Sequence, residues 1–356
     1  MSLGPAPFAI LSHPWPYKAW LAIANDPDNT LIEDWRELDK FIWQELQLPF
    51  ADSVFVESHN KNLPGQVNLS DHPELARAHP IDTVHTWGDY MHGGRRGFDR
   101  EDALRAMDLL AQYNLEPQVW TDHASFQGNL LHNFQGGGIP WTEDRSGHRY
   151  ENYFYTLDLI LELGVHYAWD GTIERSFDRR KATALRPQTF TDGNKLQVFT
   201  RYGTWQDADI DGLANLLSET HVQSMLDEGG AYVLYTHLGK RPAQRLNDTR
   251  HIPHQSRRTL QRVAQLYQTR ELMLSSTTEL LDHIVLRDSM KWNHQDRCFE
   301  FEPDGLRFNQ ITGLELRGHS FTFSSESGPP TLKLNGEVLS PHWRSDQKNL
   351  YTVAFK

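Results

Sequence analysis

Ala19-Trp20-Leu21-Ala22-Ile23-Ala24 runs directly into Asn25-Asp26-Pro27-Asp28-Asn29, and that junction decides the reading of the fold. An unbroken apolar run of this length suits a strand covered on both faces, as in a parallel sheet. Downstream, Trp35, Leu38, Ile42 and Leu46 recur at helical spacing. The unit then repeats. Ser53-Val54-Phe55-Val56 ends at Glu57-Ser58-His59, Asp82-Thr83-Val84 ends at His85, and Pro117-Gln118-Val119-Trp120 ends at Thr121-Asp122-His123. Val165 to Trp169, Lys195 to Tyr202 and Ala231 to Tyr235 complete the set, the last followed by Thr236-His237. Helical patterns lie between many of these runs, one of them opened by Asp99 as an N-cap.

Repeated strand-then-helix units imply a parallel sheet with helical crossovers. About seven such units are too many for a small open sheet, so the sequence predicts an α/β fold, a distorted (β/α)7-type barrel. Beyond Arg297 the texture changes. Cys298 to Glu302, Leu314 to Arg317, Phe321 to Phe323 and Leu332 to Leu334 alternate with period two around turn signals such as Asn335-Gly336. The expected division is a barrel over residues 1–290 and a small antiparallel β module over 291–356, packed on the barrel.

Composition narrows the function classes. The chain has 356 residues, 38% hydrophobic and 23% charged, with a formal charge of −12. Such a balance is globular and disfavours a nucleic-acid backbone as partner. No run approaches the ~18 apolar residues of a membrane span. Cys298 is the single cysteine, which excludes a disulfide framework and a cysteine-based zinc site. It fits a reducing compartment and slightly favours a cytoplasmic location, but many secreted enzymes also lack disulfides, so localisation is open and a removed native leader is the alternative. Oligomeric state is not legible.

In a barrel of this kind the site lies at the C-terminal ends of the strands, and several ends here carry Asp or His. Two carboxylates as close as Asp26 and Asp28 repel, and a divalent metal on one of them relieves the conflict. The bland alternative is an Asx-type loop that caps the next helix. In His85-Thr86-Trp87-Gly88-Asp89, His85 and Asp89 converge on one metal if the chain between them turns helically. His92 adds a third ligand-type group, and a polar loop is again the alternative. Trp120, His123 and Asn129 form a polar strand end with an aromatic face suited to a hydroxyl-rich ligand. His237 closes the set, although a lone strand-end histidine is more often structural.

The order of these motifs resembles the NodB-homology polysaccharide deacetylases and their wider glycoside hydrolase/deacetylase barrel relatives, over roughly residues 17 to 240. The resemblance implies Asp26 as catalytic base and Asp28 as metal carboxylate. It implies His85 as a metal histidine and His237 as catalytic acid. Asp89 stands where the family has its second metal histidine, Pro27 splits the Asp pair, and the family's Arg-x-Pro-Tyr motif has no counterpart. The expected metal set is Asp28, His85 and Asp89, with His92, Trp120, His123 and Asn129 toward substrate. Zn²⁺ suits two carboxylates and one imidazole, as do Mn²⁺, Fe²⁺ or Co²⁺. The expected reaction is hydrolysis of an acetyl group on a carbohydrate. A glycoside hydrolase using paired carboxylates, or a carbohydrate-binding protein that has lost its chemistry, are the alternatives.

Overall fold

The computed structural model describes residues 8–89, 99–122, 141–143, 149–151, 155–174, 183–190, 192–242, 251–301, 316–347 and 349–355. Eight strands form one parallel sheet. They are β1 (Ala19–Asn25), β2 (Asp52–Val54), β3 (Ile81–His85) and β4 (Val119–Thr121), then β5 (Tyr167–Glu174), β6 (Lys195–Tyr202), β7 (Ala231–Thr236) and β8 (Leu272–Ser275). Their spatial order is β2-β3-β4-β5-β6-β7-β1-β8. Sequential strands are therefore neighbours from β2 to β7, and β1 closes onto β7 over the full register Ala231↔Trp20 to Thr236↔Asn25. The strand Leu185–Thr189 adds antiparallel to β6.

The sheet curls until its first and second strands meet. β8 pairs with the N-terminal half of β1, from Ala19 to Ala22. At the other end of β1, Asn25 Nδ2 donates to Asp52 Oδ1 of β2 at 2.8 Å, and the Ser53 hydroxyl donates to the Asn25 carbonyl. Side chains thus join the edges where no backbone ladder does. Among the helices are α1 (Ile32–Leu38), α2 (Arg100–Gln112), α3 (Leu157–Glu162), α4 (Glu219–Glu228), α5 (His254–Gln268) and α6 (Thr277–Ser289). The Asp99 side chain caps α2 by accepting from the backbone N–H groups of Glu101 and Asp102. β8 was not legible as a strand, because it is four residues long and lies in a short link of eight residues between two helices.

All seven residues of β1 are buried, because both faces of the sheet are covered. Trp20, Ala22 and Ala24 face an interior cluster, whereas Ala19, Leu21 and Ile23 pack outward against Leu260 and Val263 of α5 and Val222 and Met225 of α4. The same period of two sorts the other strands. Val119, Tyr167, Phe199, Val233 and Tyr235 point inward, while Trp120, Ala168 and Val198 point outward.

The interior cluster continues without a break into Leu280 and Ile284 of α6 and into Phe299, Phe301, Phe321 and Val353. The described residues of the C-terminal region form two four-stranded sheets. One joins Met290–Asn293, Cys298–Phe301, Thr331–Leu334 and Glu337–Val338, and the other joins Ser320–Ser324, Leu350–Ala354 and Trp343–Gln347 with the N-terminal strand Ala9–Ile10. Two features differ from the sequence reading. Cys298–Phe301 and Thr331–Leu334 pair in parallel, so the module is mixed. Ala9–Ile10 pairs with Phe323 and Ser324, so the N-terminus crosses the expected division at residue 290. Among the described residues, no helix is long and apolar enough to cross a membrane.

Candidate metal centre

Strand parity builds the site. The inward face of β1 continues from Ala24 to Asp26, that of β3 from Thr83 to His85, and that of β4 from Val119 to Thr121. On β6 it runs from Phe199 to Arg201, and on β7 from Tyr235 to His237. Curling of the sheet brings these C-terminal ends together. Asp26, Asp28 and His85 each present a ligand atom within 4.8 Å of the others. The loop carrying Asp28 is held by a bridge between Thr30 and Lys240. It passes so close to Gly239 that a Cβ there would overlap the Thr30 side chain.

His85 is oriented from both sides. Its Nδ1–H donates to the Thr121 carbonyl at 3.1 Å, which leaves Nε2 facing Asp28 Oδ2 at 3.1 Å. The Phe55 ring stacks on it at 4.9 Å. Burial opposes its positive charge, but Asp26 and Asp28 outweigh burial and raise the imidazole to about 9. With a proton on Nε2 the pair is an ion pair; without it, Nε2 is a metal donor whose tautomer a backbone carbonyl has fixed.

Arg201 holds Asp26 in place. Its Nη1 donates to both carboxylate oxygens of Asp26 at 2.8 Å, and its Nη2 donates to the Thr121 hydroxyl. The guanidinium also lies 4.5 Å from the centre of the Trp169 ring. Opposite stands His237. Its Nδ1 lies 3.0 Å from Asp209 Oδ1, which Lys240 also meets at 3.2 Å. Burial acts to raise the Asp209 carboxyl, but the hydrogen bond to His237 and the charge of Lys240 prevail and lower it. The backbone places this pair too, since His237 N–H donates to the Ala208 carbonyl at 2.7 Å. His237 Nε2 lies 2.9 Å from the Tyr235 hydroxyl, within hydrogen-bond distance, and 3.6 Å from Asp28 Oδ2. Burial and the charges of Asp26 and Asp28 push the Tyr235 phenol far up, so it is a donor throughout the neutral range.

Two of the three expected ligands meet, and the third does not. Thr86 adopts a left-handed conformation (φ 54°) and Gly88–Asp89 then pairs with Glu57–Ser58. The chain after His85 is therefore extended rather than helical, and Asp89 Oδ2 instead accepts from Asn60 at 2.9 Å and Gln66 at 3.0 Å. Asp26, expected to stand apart from the ligands as base, lies within the ligand-type group.

Trp120 is also corrected. It is on the outward face, 0% exposed, edge-on to the equally buried Trp87 at 4.9 Å. Both rings belong to the core cluster outside the sheet. Among the described residues, an exposed ring near the site is that of Trp205, 45% exposed and 5.0 Å from Tyr235. His92, His123 and Asn129 lie outside the described residues. Arg201, Asp209, Tyr235 and Trp205 were missed in the sequence. An arginine in phase with inward Phe199 was the available signal, since a charge facing a barrel interior needs an acid there.

The donor set fits a divalent ion. Arg201 balances Asp26 and Lys240 balances Asp209, whereas Asp28 faces two imidazoles, and a cation there would take the place of the proton on His85. Asp26, Asp28 and His85 thus form a group that could hold a metal ion. No protein-family model and no curated protein matches the chain.

Proposed function

We propose that this chain is a metal-dependent carbohydrate deacetylase-like hydrolase, with β1 to β7 as a distorted (β/α)7-type barrel. The observation that carries the reading is the position of His237, 3.6 Å from Asp28 across a group that also holds Asp26 and His85. An acid–base pair flanking a cation-type group is an arrangement suited to metal-assisted hydrolysis of an acyl–nitrogen or acyl–oxygen bond.

Asp28 and His85 would hold the ion, with Asp26 at its edge. A divalent ion there supplies Lewis acidity for the acetyl carbonyl and acidifies water. Asp26, clamped by Arg201 so that its oxygens cannot swing away, accepts the proton of the attacking water. His237 carries a proton toward the leaving amine or hydroxyl. Asp209 and Lys240 hold the imidazole on its Nδ1 side, and Tyr235 must release Nε2 for that transfer. Trp205 offers an exposed ring to stack on a sugar.

Acetate release from acetylated chito- and xylo-oligosaccharides, in the presence of Zn²⁺ or Mn²⁺, tests this directly. Turnover should fall by roughly 10²–10⁴ in Asp26→Asn and in His237→Ala. Acetate release that is intact in both variants contradicts these roles. Chain cleavage without acetate supports the glycoside hydrolase instead.

A further inference from the structure

A second cavity, of about 680 Å³, lies at the opposite end of the barrel from the metal centre. Its walls come from three places. Trp15 and Tyr17 precede β1, Arg270 and Met273 stand at the start of β8, and His342 and Arg344 belong to the β module. The volume is that of a small-molecule site, and a junction between two packed units is where such sites concentrate.

The walls are fixed before any ligand arrives. Trp15 N–H donates to the Thr322 hydroxyl at 2.9 Å, Leu11 N–H to the Thr322 carbonyl at 2.9 Å, and Lys18 N–H to the Glu271 carbonyl at 2.7 Å. The segment between is thereby tied to the module on one side and to β8 on the other.

The chemistry of the lining is selective. Two aromatic rings, two arginines and a histidine line the cavity, with no Asp or Glu among its described lining residues, in a chain of net charge −12. The acid next in sequence, Glu271, is engaged by Lys18 at 2.8 Å. Among the described residues the Arg270 guanidinium has neither an ion pair nor a hydrogen bond.

Arg270 also occupies a position that the backbone would give to glycine. The end of α5 is closed by Glu271 N–H donating to Leu266 O and Arg270 N–H donating to Tyr267 O, with Arg270 left-handed at φ 61°. Glycine takes that position without strain. Arg270 shares this left-handed conformation with Gln47 and Arg297, among others.

We propose that this cavity binds a ring-bearing carboxylate, its ring against Trp15 and Tyr17 and its acid group on Arg270 and Arg344. Planar guanidinium groups match carboxylates in geometry, and aromatic faces match a sugar or benzenoid ring. Both an acidic sugar unit and an aromatic acid carry this chemistry. The inference does not depend on the reaction proposed for the metal centre.

Calorimetric titration of the full chain with a galacturonate trisaccharide and with 4-hydroxybenzoate separates the two sources, with the neutral galactose trisaccharide as control. At least one acid should bind with Kd below ~1 mM and the neutral sugar should not. Arg270→Gly should weaken binding about tenfold or more while its thermal midpoint rises, because the left-handed position is relieved. Arg344→Gln should weaken it in the same way. Absence of binding by either acid, equal binding of the neutral sugar, or unchanged affinity in both variants would overturn the proposal.

Discussion

Nη1 of Arg201 lies 2.8 Å from each carboxylate oxygen of Asp26, and both side chains are buried, at 0% and 2% exposure. One guanidinium nitrogen thus carries the countercharge of the residue at the end of the first strand. Removing one partner of a buried pair leaves the other charge uncompensated, which costs about 3–5 kcal/mol. Arg201→Met should lose that much in urea denaturation, and Asp26→Asn combined with Arg201→Met should recover part of it. A loss below ~1 kcal/mol in the single variant would show that the pair behaves as a solvated contact rather than a buried one.

Metal uptake should release a proton. In the metal-free chain the neighbouring carboxylates raise His85 to about 9 against the opposing effect of burial, so its Nε2 is protonated at neutral pH. An ion must displace that proton. Apparent affinity should therefore rise with pH, by up to about tenfold per unit below pH ~9, and level off above it. Calorimetry in buffers of different ionisation enthalpy measures the proton count; a count of zero at pH 7 contradicts the assignment of His85.

A second histidine ties the barrel's edge. His79 sits between Asp39 at 2.9 Å and Asp52 at 3.2 Å, stacked on Trp43 at 3.7 Å. Asp52 in turn holds Asn25, whose Oδ1 accepts from the Leu238 N–H at 2.7 Å. Burial lowers the His79 pKa, but the hydrogen bonds and charges of Asp52 and Asp39 outweigh it and leave it raised above 6.5. A raised folded-state value stabilises fully below the unfolded value and is lost as pH climbs through the folded one. Metal-loaded protein, in which His85 no longer titrates, should lose stability as pH rises from ~6.5. His79→Gln should flatten that slope in denaturation curves.

Two tryptophans should behave in opposite ways. Trp120→Ala empties a fully buried outward position beside Trp87 and should cost about 3–5 kcal/mol. Trp205→Ala removes an exposed ring and should change stability by less than ~1 kcal/mol. If Trp205 carries a sugar ring, its loss should raise KM for oligosaccharides. Thermal melts and initial rates distinguish the two residues.

Much of the sheet was legible because a strand covered on both faces must be apolar throughout, as Ala19 to Ala24 are. Polar ends followed from the same logic, and they led to Asp28, His85 and His237. The turn after His85 was not legible. Whether residues 86 to 89 coil or extend depends on pairing with Glu57–Ser58, a contact made thirty residues away. Trp120 was misread because its apolar neighbours hide the alternation, although Val119 and Thr121 flank it on the site's face. Asp209 lies among Asp207 and Asp211, and nothing in their spacing marks the one that meets His237. Asp52 and Asp39 gave no signal either, since their partner His79 belongs to neither local pattern.

The metal content of the purified chain, measured after saturation with Zn²⁺ or Mn²⁺ and removal of free ion, tests the central assignment most directly. About one ion per chain should be retained, and Asp28→Ala and His85→Ala should each abolish retention while staying folded by circular dichroism. Asp89→Ala should retain it, because that carboxylate is held by Asn60 and Gln66. No ion on the wild-type chain, or a full complement on folded Asp28→Ala, would contradict a metal centre at the end of the first strand.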